Sequence, residues 1–101
     1  MGTSANVPYS TLSFRIDGYT YELSSQDIYD TARRLTDWGN IRKHYTILPD
    51  SHGRERRIPI RSLVIASLQS KYPNRVFAKG LSTVTLNRIL TTLNIPIYTL
   101  S

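Results

Sequence analysis

Three arginines crowd one short polar stretch, Asp50-Ser51-His52-Gly53-Arg54-Glu55-Arg56-Arg57. A guanidinium is planar, permanently charged and forked, so it can grip a phosphate or the major-groove edge of guanine with two parallel hydrogen bonds. Gly53 suits a tight turn, which places these arginines at an exposed hairpin, with Arg42 and Lys43 before it and Arg61 after it. The chemistry open to such a cluster is recognition of a polyanion. Asp50 and Glu55, inside the same stretch, would neutralise part of it. A second group lies on the polar side of a predicted helix near the C-terminus, where Asn87 and Arg88 are candidates for contact with base edges among Thr83, Thr85, Thr91 and Thr92.

Signals for catalysis are poor. His44 and His52 are the only histidines and there is no cysteine, so disulfides, thiol chemistry and a histidine–cysteine zinc site are excluded. The carboxylates show no spaced cluster of the metal-nuclease kind, and Asp27 and Asp30, one helical turn apart, suit helix capping and the helix dipole. No phosphate-binding glycine loop and no nucleophile motif occurs. His44, beside Arg42, Lys43 and Tyr45, leaves metal-free RNA cleavage by general acid–base action as one alternative. No catalytic residue, metal or cofactor is expected.

The charge is unevenly distributed along the chain. The first fifty-five residues hold six cations and seven carboxylates; beyond Glu55 come Arg56, Arg57, Arg61, Lys71, Arg75, Lys79 and Arg88 and no carboxylate, so the net charge of +6 belongs to the second half. Segregated charge makes a directed field that draws polyanions. Composition is otherwise that of a globular protein, 40% apolar and 20% charged in 101 residues. No apolar run approaches the roughly 20 residues that span a bilayer, and the N-terminus lacks a signal-peptide layout. With no cysteine, a reducing cytoplasm is the expected setting.

These side chains need a scaffold. Residues 1–10 are expected to be a flexible lead and 11–101 one globular domain. Two alternating runs around Asp17-Gly18 predict a hairpin. Ser24 caps a helix predicted over 25–35, with Asp27 in its first turn, Leu23 and Ile28 as a hydrophobic staple and Gly39 near its end. His44–Leu48 reads as a strand that turns at Gly53. Residues 58–60 either return as a second strand or, through Pro59, open a helix predicted over 61–72. A basic loop around Val76 and Phe77 leads to a helix over 82–93, with Leu86, Ile89, Leu90 and Leu93 inward, and residues 95–100 close as an edge strand. The expected fold class is α+β, three helices against a small antiparallel sheet made of two hairpins and a C-terminal strand. Trp38 is expected in the core. Tyr19 and Tyr21, on one strand face, are an alternative stacking platform, and either Tyr45 or Ile47 should face outward. The link from Tyr72 to Ser82 is too long for a helix-turn-helix joint.

From Leu23 onward, about three quarters of the chain, this order resembles a bacterial domain pattern. The matching stretches are Leu23–Leu35, His44–Leu48 with Gly53-Arg54, Ile58-Pro59-Ile60, Phe77 and Ser82–Asn94. Domains of this pattern occur as small stand-alone bacterial proteins, and are similar to N-terminal modules of some modification-dependent restriction endonucleases, which bind methylated DNA. Arg61 stands where the pattern has lysine, and Asn94-Ile95 where it has a glycine-phenylalanine pair. The resemblance implies DNA binding; a modified-base pocket is not carried over from it.

The expectation is therefore a non-enzymatic nucleic-acid-binding module, DNA before RNA, that uses Arg42, Lys43, Arg54, Arg56, Arg57 and Arg61 on phosphates and Asn87 and Arg88 on bases. The alternatives are a protein-interaction or homodimerisation domain of a larger assembly, with Pro96 leaving an edge strand to pair across a dimer, and the metal-free ribonuclease or toxin. No membrane partner is expected.

Overall fold

The computed structural model describes residues 10–35, 37–77 and 81–100; the expected flexible lead over 1–9 and Lys79 in the basic loop lie outside them. Two hairpins and three helices alternate along the chain, an α+β fold as expected. The strands fall into two sheets rather than one: β1 (Thr11–Ile16) pairs with β2 (Tyr19–Ser24), and β3 (His44–Pro49) lies between β4 (Glu55–Pro59) and β5 (Tyr98–Thr99).

The first hairpin follows from its turn. Asp17 and Gly18 both adopt positive φ, 52° and 85°, which matches the right-handed twist of the flanking strands. That register sets Phe14 opposite Tyr21 and Leu12 opposite Leu23, so the inward face is apolar. Helix α1 (Ser25–Arg34) starts with a reciprocal capping box. Ser24 Oγ accepts from the Asp27 amide at 3.1 Å, and Asp27 Oδ2 accepts from the Ser24 amide at 2.9 Å. Ser10 is tied in here: its carbonyl accepts from the Ser25 amide and its hydroxyl from Asn94 Nδ2.

Helix α2 (Ile60–Lys71) is the hub, packed against α1, α3 (Thr83–Thr92) and both long strands of the second sheet. Leu63, Val64 and Leu68 are fully buried on it, and each buried aliphatic side chain of that kind contributes roughly 1.5–3 kcal/mol. Pro59 fills both roles foreseen for it. It ends β4, an edge strand that needs no proline N–H, and it occupies the N-cap of α2. Helix α3 is capped by Ser82 and ended by Asn94 at φ 61°. Phe77 seals the gap below α2, edge-on to Tyr21 at 5.0 Å, and Tyr72 meets Tyr21 at the same distance. The closing strand shrinks from the expected six residues to Tyr98–Thr99, paired with His44 and Tyr45. No helix of the described residues is long and apolar enough to cross a membrane.

Candidate nucleic-acid interface

The arginine hairpin is organised by its own carboxylate. Asp50, with 2% of its side chain exposed, accepts from the amides of His52 at 2.8 Å and Arg54 at 3.0 Å and from Arg56 Nε at 2.9 Å. Loss of water pushes the Asp50 carboxyl up, but the two amides and the Arg56 guanidinium outweigh it and hold it below its ordinary value. Gly53 turns the chain at φ 77°. Strand β4 begins at Glu55, earlier than expected, because the Asp50 turn is already closed by Arg54. Arg56 and Arg57 are thus strand residues on opposite faces, not neighbours on a tip. Arg56 is committed to Asp50, Arg57 lies over the Tyr45 ring at 5.1 Å, and Arg54 is exposed at the turn. The expected trio of equivalent arginines is therefore corrected to three different roles.

The predicted cations that do converge are Arg42, Lys43 and Arg61. The segment 37–43 has no regular structure and delivers Arg42 and Lys43 to the mouth of β3, where the Leu100 amide donates to the Lys43 carbonyl. Arg61 is the second residue of α2, and its Nη1 donates to the Leu81 carbonyl just before α3. Between them lies a cleft of about 500 Å³, lined also by Asn40, His44, Ser62 and Thr83, with no carboxylate among the described residues of its walls. His44 is held there by an Nδ1 contact to Thr99 Oγ1 at 3.2 Å.

The backbone adds to this charge. The first amides of any α-helix have no intrahelical carbonyl to meet. In α1 and α3 a serine covers part of that deficit; in α2 the N-cap is Pro59, which offers no side-chain acceptor, and the first turn holds no acidic residue. The positive end of the α2 dipole thus faces the cleft without a built-in anion, while Pro59, Ile60, Arg61 and Ser62 line it.

The two α3 candidates separate. Asn87 lies one turn beyond Thr83 and so on the cleft side of the helix; it is half-buried, and its Oδ1 meets no hydrogen-bond donor among the described residues. Arg88 is rotated about 140° from Thr83, onto the exposed side opposite Leu86, Ile89 and Leu90. The late cations do not share one face either: Lys71 reaches Asp27 at 3.1 Å and the Arg75 guanidinium covers Tyr19 at 3.9 Å, both at the far end of α2.

The aromatic expectations also divide. Trp38 packs half-buried against the core. Tyr21 is buried against Tyr72 and Phe77, whereas Tyr19 is exposed with the Arg75 guanidinium over its ring, so they form no joint platform. Tyr45 and Ile47 both face away from the helices, two residues apart on β3, while Thr46 and Leu48, which alternate with them, are buried. The aromatic pair that does form is Tyr45 with Tyr98, stacked at 5.5 Å and 26°. Sequence reasoning missed Tyr98 because its partner is 53 positions away. It also missed Ser62, although a proline cap followed by a first turn without an acid was readable. No protein-family model, curated protein or solved structure matches the chain. Among the described residues no group of three or more histidines and carboxylates gathers within metal-ligating reach.

Proposed function

We propose that this domain binds a nucleic acid through its phosphate backbone and catalyses no reaction on it. The observation that carries the reading is the cleft in which Arg42, Lys43 and Arg61 meet the start of α2, which has no side-chain cap, with no carboxylate beside them among the described residues. Three cations and free backbone amides suit phosphodiester oxygens in both charge and hydrogen bonding. Arg54 and Arg57 extend the positive surface along the hairpin. The resemblance to DNA-binding modules points the same way and favours DNA.

Counterion release supplies the test. Three phosphate contacts predict a log–log salt slope of about −2 to −3, a loss of roughly 15- to 60-fold in affinity between about 50 and about 200 mM salt. Arg42→Ala should flatten that slope by nearly one. An affinity that scarcely moves with salt would refute the electrostatic account, and RNA cut during the assay in chelator would favour the ribonuclease alternative through His44. A dimer built on the last strand has less to recommend it, because β5 offers two residues, Tyr98 and Thr99, as a template for a second copy.

A further inference from the structure

We infer that the outward face of the three-stranded sheet, around Tyr98 and Tyr45, stacks the bases of an unpaired strand whose phosphates lie in the cleft. This rests on the nucleic-acid reading above and names its substrate class: single-stranded rather than duplex.

The face is built for flat ligands. Tyr98 stands on the edge strand with 42% of its surface exposed, stacked on Tyr45, and Arg57 covers Tyr45 at 5.1 Å. The helices pack on the other side of the sheet, where Thr46, Leu48 and Ile58 are buried. Tyr98, braced from behind by Tyr45, offers the free part of its ring to a flat ligand. A duplex hides the faces of its bases inside its own stack, so such rings serve only unpaired ones. Aromatic platforms beside cationic grooves are a general solution for single strands, because every base has a π-face.

Platform and cleft are continuous. Pro59 pairs with Tyr45 in the sheet and also lines the cleft. Lys43, another cleft residue, precedes Tyr45 by two positions, roughly 7 Å along an extended chain. A strand crossing from one to the other would meet Lys43 and Arg42 with its phosphates and Tyr98 with a base. Glu55 shares the outward face but stands at its far end, opposite Pro49 and about 13 Å from Tyr45.

The test compares labelled oligodeoxythymidine and oligouridine of about twelve nucleotides, within the roughly 4–16 that small single-strand binders cover, with a duplex of equal length by fluorescence anisotropy. Both single strands should bind at least about tenfold tighter than the duplex, Tyr98→Ala should remove that preference and Tyr98→Phe should keep it. The difference between the two single strands then separates DNA from RNA as the source. A fluorescent purine analogue in the strand should dim on binding to the unaltered protein, a stacking signal that does not depend on Tyr98→Ala folding. Equal affinity for duplex and single strands, with no dimming and no effect of Tyr98→Ala, overturns the platform while leaving the cleft reading standing. Binding to no oligonucleotide overturns both, and a dimer by light scattering without dimming assigns the face to a second copy of the chain.

Discussion

At its N-terminal end α2 brings Arg61 beside Arg42 and Lys43 in a cleft that holds no carboxylate among the described residues. At its C-terminal end, about 15 Å along the axis, Lys71 meets Asp27 and the following Arg75 lies on Tyr19. The same helix thus ends in cations held by an acid or an aromatic ring and begins with cations that meet no acid among the described residues, Arg61 bonding only to the Leu81 carbonyl. The separation is roughly twice the Debye length of about 8 Å at physiological salt, so the Asp27 carboxylate does little to the field in the cleft. Formal charge along the chain therefore misleads: the functional quantity is charge left without an internal partner, and the acid-free second half contains both kinds.

The contrast breaks most sharply under charge reversal. With Arg42→Glu and Lys43→Glu together, affinity for an oligonucleotide at low salt should fall by about 100-fold or more, near 2.7 kcal/mol, measured by anisotropy. Lys71→Glu adds the same sign of charge at the other end and should change affinity by less than about threefold. An equal loss per unit of charge, about tenfold for Lys71→Glu, would mean that net charge alone governs binding, and the cleft would lose its standing.

A subtler change turns stability against binding. Ser62 occupies the first turn of α2, which has neither a side-chain cap nor an acidic residue. Ser62→Glu supplies the missing anion, so it should stabilise the fold by about 0.3–1 kcal/mol, or a few degrees in Tm, while lowering affinity about tenfold. Thermal unfolding and anisotropy on one preparation read both. A variant that loses stability as well as affinity would show that the amides at this end are already satisfied.

What was legible in the sequence was local. Asp17-Gly18 announces its turn, and Ser24 with Asp27 announces a helix start, because donor, acceptor and backbone angle all lie within a few residues. Pro59 could be read both as strand end and as helix opener, and it is both. Arg88 facing away from the cleft was within reach of the helical period once Leu86, Ile89 and Leu90 were taken as the core face. The rest needed tertiary pairing. The strands divide into two sheets because β5 returns to β3 from the far end of the chain. Arg56, still exposed, is tied to Asp50, six residues earlier, through a geometry that depends on the turn between them. Arg61 joins Arg42 and Lys43 only because α2 starts where β3 starts, since Pro59 pairs with Tyr45.

The helix starts offer a third comparison. Ser24→Ala removes one half of the α1 capping box and should cost about 1 kcal/mol, a fall of roughly 4–8 °C in Tm, with oligonucleotide affinity unchanged. No equivalent loss is available at the start of α2, whose cap has no side-chain bond to remove. A change in affinity with Ser24→Ala would tie α1 to the binding surface and blur the division drawn along α2.

The smallest effect belongs to the C-terminal end of α2. Partial burial pushes the Asp27 carboxyl up, but the Ser24 amide and the Lys71 ammonium together hold it below its ordinary 3.8. A carboxyl lowered in the folded state stabilises at pH values above the unfolded pKa, and that contribution is lost as pH falls through the folded one. Lys71→Met takes away one of the two stabilising partners, so the Asp27 carboxyl should rise toward 3.8 and the variant should be less stable at neutral pH. The pair is about one-third exposed, with 38% of the Lys71 side chain in water, so solvent screens it and the cost should stay below about 1 kcal/mol. Urea unfolding of both proteins from pH 7 down to about pH 2 checks it, because the curves should converge once Asp27 is protonated and the ion pair no longer exists to be lost. A gap that persists into acid would show that Lys71 acts through its alkyl chain rather than its charge, and the neutralisation that distinguishes this end of α2 would rest on Arg75 and Tyr19 alone.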